Sequence, residues 1–202
     1  YEFVDRDNCM HHDIQILPNG NVIMIIWGAF SEENAIKNGC DPSKIGYKKM
    51  WTTYLIEVEP TYPSGGNIVW EWHAKDHMVQ DFDSTKENYG DISEHPELLD
   101  INYRDNIETD GGVDLLHINT LDYNKEFDQL LLSVRATDEI WIIDHSTTTE
   151  EAAGHTGGRY GKGGDILYRW GNPRVYGAGT KEDQQLFRQH DARWVKSGFT
   201  GE

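Results

Sequence analysis

The chain alternates short apolar runs with polar turns, and no long helical stripe competes with that pattern. The runs come in sets. The first set is His12–Leu17, the turn Pro18-Asn19-Gly20, Asn21–Trp27 and, after a polar insertion, Thr52–Glu59 and Asn67–Trp72. The second is Leu115–Tyr123, a polar turn at Asn124–Asp128, then Gln129–Val134, Glu139–Asp144 and Asp165–Trp170. A third begins at Leu186 with Gln189-His190-Asp191-Ala192-Arg193-Trp194-Val195. Short runs rich in β-branched and aromatic residues, bounded by Gly, Pro and Asn, predict strands. Only Ser31–Lys37 and Pro96–Asp100, both inside insertions, are expected to form short helices.

The sets match position by position. Each first run carries a histidine: His12, His117, His190. Each third run is apolar and led by an aromatic: Tyr54-Leu55-Ile56-Glu57-Val58 beside Trp141-Ile142-Ile143-Asp144. The fourth runs share one pattern, Asn67-Ile68-Val69-Trp70-Glu71-Trp72 beside Asp165-Ile166-Leu167-Tyr168-Arg169-Trp170. Four strands per unit, repeating after roughly 40–50 residues, is the signature of propeller blades. The reading is therefore an all-β fold, a β-propeller covering 1–202 as a single domain. Blade-like units span about 10–74 and 113–172, and the first strand of a third begins at about 186. A ring closes with roughly four to eight blades, and two blades leave unpaired edges. The remainder is expected from the same chain or a partner, a homo-oligomer included, and this stretch alone is expected to be inactive. A small two-sheet β domain is the alternative.

Composition sharpens this picture. The chain is 37% hydrophobic with seven Trp, ten Tyr and twenty Gly, which suits a folded, β-rich protein. A net charge of −17 argues against nucleic acid and anionic membrane surfaces as partners. No run approaches the roughly 18 apolar residues of a membrane span, so no membrane insertion is expected. No signal peptide is visible, and because the chain opens at Tyr1 the natural N-terminus is expected elsewhere. Glu32-Glu33, Asp81–Asp83 and Glu150-Glu151 read as solvated surface or, less simply, a calcium site. Cys9 and Cys40 allow one disulfide or two free thiols, and the count fixes no compartment.

In a propeller the first strand of each blade lines the axis, so a histidine at the same place in three first strands converges on one site. Three imidazoles suit a metal or an anion. Arg135, at the end of the second run of its set, would repel a divalent cation and hold a sulfate or phosphate in its planar fork. Its other reading is an ion pair with Asp138 or Glu139. Alternation along a strand would put His11 and His12 on opposite faces, and the match with His190-Asp191 favours His12 as the inward residue. His73 and His77, with Asp76 and Asp81, read as loop polarity, and His95 as a turn residue. His145 and His155, beside the glycine-rich insertion Gly154–Gly164, are expected to face solvent.

Several pieces resemble the arylsulfate sulfotransferase family. They are His11-His12-Asp13 before Leu17-Pro18-Asn19-Gly20-Asn21, and His117-Ile118-Asn119 followed by Asp128-Gln129-Leu130-Leu131-Leu132-Ser133-Val134-Arg135. Gly164-Asp165-Ile166-Leu167-Tyr168-Arg169-Trp170-Gly171-Asn172, followed by Gln189-His190-Asp191-Ala192, completes the set. The resemblance implies a six-bladed propeller and a ping-pong transfer of a sulfuryl group from an aryl sulfate to a phenol, through a sulfated histidine. It implies His190 as nucleophile, His12 and His117 as the other catalytic histidines and Arg135 as the group holding the sulfuryl oxygens. Asn119 would be a supporting donor, with His11 beside His12 at the substrate. No nucleotide donor, cofactor or metal is implied, and family members generally act outside the cytoplasm, in the periplasm or secreted. Two features depart from the pattern: the family's Ile-Asp-Thr-Gly reads Ile143-Asp144-His145-Ser146-Thr147, and its Leu-Gly-Gly after the fourth strand reads Arg169-Trp170-Gly171-Asn172. Both put the acceptor pocket in question more than the sulfuryl site. The competing readings are a non-catalytic binding or scaffold propeller and a metal-dependent hydrolase. The hydrolase is weaker because the only carboxylates repeating beside the histidines, Asp13 and Asp191, are expected to point outward.

Overall fold

A computed structural model describes residues 8–45, 49–104, 112–195 and 198–199. It is mostly sheet. The first sheet is an antiparallel meander of β1 (Asn8–Ile16), β2 (Val22–Phe30), β3 (Lys49–Pro60) and β4 (Gly66–His73). The polar insertions carry helix α1 (Glu32–Lys37) and the paired short strands β5 (Met78–Val79) and β6 (Leu99–Asp100). A lead-in strand, β7 (Gly112–Asp114), runs parallel to the start of β3. The second meander follows: β8 (Ile118–Asn124), β9 (Gln129–Val134), β10 (Glu139–Asp144), then helix α2 (Thr149–Ala152) and β11 (Ile166–Trp170). Both sheets keep sequential strand order, as the two predicted sets require.

The pattern of each run explains its place. β2, with Ile23, Ile25 and Ile26 fully buried, is covered on both faces, and β9 is buried from Leu130 to Val134. Trp70 and Trp72 alternate with half-exposed neighbours in β4, so one face of that strand is core. One apolar cluster runs through both sheets, from Ile23, Leu55 and Trp72 to Leu121, Leu132 and Trp141. Burying each such side chain is worth about 1.5–3 kcal/mol. Polar cross-links hold the sheets in register. Trp70 Nε1 donates to Thr147 Oγ1 at 3.1 Å, and Trp72 Nε1 donates to the Gly164 carbonyl at 2.7 Å. Asp13 Oδ2 accepts from Leu121 N at 3.2 Å, tying β1 to β8.

Three expectations change and one open alternative closes. Pro96–Asp100 is not a helix: Leu99 and Asp100 pair with Met78 and Val79, because their apolar neighbours are needed in the core. Leu186–Val195 forms no ladder among the described residues. It lies against β8 through isolated bonds, Asp191 N to Thr120 Oγ1 and Trp194 N to Asp122 Oδ2, both 2.8 Å. His145 does not face solvent. It is wedged between Glu57 and Asp128, 2.8 Å from each, which gives the departure from Ile-Asp-Thr-Gly a structural reason. The third element, α1, is as predicted, with Ser31 as its N-cap, but the two cysteines resolve to free thiols, Cys9 exposed and Cys40 buried.

Candidate functional site

Two backbone irregularities build the site. The pairing of β1 with β2 shifts between Met10 and Ile14, so His11, His12 and Asp13 bulge from the ladder. His12 has φ 55° and His117, just ahead of β8, has φ 48°. For a residue with a Cβ this left-handed region costs on the order of 1–2 kcal/mol, and such strain gathers where a side chain is re-aimed for function. The shared conformation at two matched positions carries the sequence repeat into the backbone.

The bulge overturns the expected alternation. His11 and His12 share one face, with their Nδ1 atoms 2.7 Å apart. His11 is the buried one, stacked on the Trp27 indole at 4.1 Å and 13°. His12 is exposed and meets His117 edge to face at 4.7 Å. Trp27 stands across both, 6.0 Å from His12 and 6.3 Å from His117. Three imidazoles and an indole thus form one cluster.

Asp114 completes it and was invisible in the sequence pattern. β7 pairs with β3, which carries Asp114 from the second unit to the first. Its carboxylate accepts from Trp27 Nε1 at 3.1 Å and from His117 N at 3.0 Å, and it sits 2.9 Å from His117 Nδ1. A carboxylate here fixes the proton of His117 on Nδ1 and leaves Nε2 with the lone pair. The first set has Cys9 at the matching place, so no repeat flagged an acid.

Electrostatics separate these rings. Burial, reinforced by His12 and His117 and opposed by Asp114, pushes His11 down to about 3. Burial and His117, then His190 and Arg135, lower His12 from its ordinary 6.5, again against Asp114. Both are therefore neutral near pH 7. Arg135 supplies the permanent positive charge. It is half-buried, its N–H donates to the His117 carbonyl at 3.3 Å, and among the described residues its guanidinium pairs with no carboxylate. The alternative partners are engaged elsewhere: Asp138 accepts from Arg188 N and Gln184 Nε2, and buried Glu139 pairs with Arg169 at 2.6 Å.

A family model described as arylsulfotransferase (ASST) matches residues 1–152. The chain belongs to that family. No curated protein and no solved structure matches it. The arylsulfotransferase match spans His11, His12, His117, Asn119 and Arg135, and ends before His190. His190 itself is exposed, with Nδ1 3.0 Å from the Arg188 carbonyl. That carbonyl only accepts, so Nδ1 carries the proton and Nε2 is the free nitrogen. Asn119 is fixed by the neighbour of His190. Its amide donates to the Gln189 carbonyl at 2.8 Å and so fastens the segment that bears His190.

Proposed function

We propose that this site transfers a sulfuryl group from an aryl sulfate to a phenol in two displacements, without a nucleotide donor. His190 Nε2 attacks sulfur, the S–O bond to the aryl oxygen breaks, and the phenolate leaves. A second phenol then gives up its proton and attacks the sulfated His190, and the N–S bond breaks. Arg135 holds the equatorial oxygens, where charge is shared in a loose transition state. His117, oriented by Asp114, is the acid–base group: its Nε2 protonates the departing phenolate when charged and takes the acceptor's proton when neutral. Neutral His11 and His12 contribute ring N–H donors and exclude water rather than adding charge.

The observation that carries this reading is Arg135, without a carboxylate partner among the described residues, at a cluster of three imidazoles. A cation site would not keep a guanidinium beside it, and a scaffold would not need one. Membership of the arylsulfotransferase family supports the same reaction class. The reading extends to a closed six-bladed ring whose other blades lie outside these residues, and to a periplasmic or secreted location. Initial rates with donor and acceptor both varied test it. Parallel double-reciprocal lines, with one equivalent of phenol released by donor alone, are expected; intersecting lines and no burst would rule out the covalent route.

A further inference from the structure

A second histidine cluster lies away from the first. His77 ends a turn after β4, His155 belongs to the glycine-rich insertion, and Asp165 immediately precedes β11. His77 Nδ1 and His155 Nδ1 each lie 2.8 Å from the same oxygen, Asp165 Oδ1. The three ligand atoms all fall within 4.8 Å of one another. The far nitrogen of His77, Nε2, is 2.8 Å from the Ala152 carbonyl.

Those contacts leave a neutral His77 one donor short. A carbonyl only accepts, so the single ring proton of a neutral His77 sits on Nε2. Nδ1 then holds a lone pair and faces a carboxylate oxygen holding another. A metal ion removes the conflict, and a backbone carbonyl on the outer N–H is the arrangement that orients a metal-bound histidine. The surroundings hold the ring for that task. Trp72 stacks on His77 at 5.7 Å and 6°, and Trp72 Nε1 is tied to the Gly164 carbonyl. Gly164 is compelled: a Cβ there would collide with the Ala152 carbonyl and lie 2.6 Å from His77 Nε2. His155 lines an open groove of about 460 Å³ with Lys75, Asp76 and His95, which gives an ion a way in and leaves room for water.

We propose that His77, His155 and Asp165 bind one divalent ion of the zinc class, which clamps the glycine-rich insertion to the first sheet. Two imidazoles and one carboxylate suit zinc or cobalt, with water as a further ligand. Bonds of about 2.0–2.2 Å would open the present nitrogen–oxygen separations to roughly 3.3 Å, a movement that side-chain rotation supplies. This inference stands apart from the sulfuryl-transfer reading.

The test is metal binding by the full chain after treatment with a chelator. Zn²⁺ content after dialysis and Co²⁺ absorption are compared for the unsubstituted chain, His155→Ala, Asp165→Asn and, as control for the other cluster, His12→Ala. His155 is chosen because its side chain is 59% exposed, so the fold tolerates its loss. The unsubstituted chain and His12→Ala should hold one equivalent that His155→Ala and Asp165→Asn lose, with affinity falling by at least about 100-fold. Zn²⁺ should raise the unfolding temperature of the unsubstituted chain and leave that of His155→Ala unchanged. Equal binding by the unsubstituted chain and His155→Ala would overturn the proposal. So would ring ¹⁵N shifts showing both His77 nitrogens protonated at saturating Zn²⁺, the mark of a buried imidazolium–carboxylate pair.

Discussion

The two histidine clusters are built from like parts and arrive at opposite electrostatics. Each lays an imidazole flat on a tryptophan, His11 on Trp27 and His77 on Trp72. Each contains one aspartate, Asp114 or Asp165. In the first, the carboxylate sits to the side and grips one imidazole, Arg135 has no carboxylate partner among the described residues, and burial, reinforced by neighbouring rings, keeps His11 and His12 neutral. In the second, the carboxylate sits between two rings, and no arginine appears in the hydrogen bonds that define the cluster. In the two proposals made above, the position of one acid and the presence of one guanidinium separate a set of imidazoles suited to an anion from one suited to a cation.

The comparison breaks most readily at the nucleophile. His190→Ala should lower aryl-sulfate turnover by about 10⁴-fold or more, measured as phenol release. Arg135→Ala should cost about 10²–10³-fold in kcat, the usual loss for one donor to transition-state charge, with much less change in donor binding. Arg135→Lys should recover only part, since an ammonium lacks the planar fork. Losses confined to KM would assign Arg135 to ground-state binding instead. At the second cluster Gly164→Ala should destabilise the fold by about 3 kcal/mol in denaturant unfolding, because backbone and the His77 ring both stand where the methyl must go.

Asp114→Asn separates orientation from charge. It should lower kcat by about 10–100-fold and shift the pH profile, since the amide no longer demands a proton on His117 Nδ1. A uniform loss with an unmoved profile would make Asp114 structural. The smallest effect concerns His145. Burial lowers its affinity for a proton, but hydrogen bonds to Glu57 and Asp128 outweigh it and raise the value above 6.5. Its contribution is therefore fully present below about 6.5 and is lost as pH rises through the higher folded value. Unfolding free energy of the unsubstituted chain should fall as pH rises above about 6.5, and His145→Gln should flatten that slope.

Much of this was readable in the chain because the repeat was readable. The bounds of β9 and β10 follow from apolar runs closed by Asn124–Asp128 and by the polar turn before Glu139. Histidines at matched places pointed to His12 and His117, and the structure places their rings in contact. What the pattern could not carry were features that break it. A bulge at His11–Asp13 cancels strict alternation, so His11 and His12 sit together. Asp114 reaches the site through a strand that occurs once, so no repeat marked it. His145, His77 and His155 are placed by long-range partners in the other sheet or the insertion, which local polarity does not reveal.

The central claim is covalent transfer through His190, and peptide mass spectrometry tests it most directly. The complete natural chain would be incubated with an aryl sulfate and quenched at neutral to alkaline pH. The account predicts a sulfuryl adduct on His190 that a phenol discharges and that His190→Ala lacks. An adduct on His12 or His117 instead, or phenol release with no adduct, would contradict it.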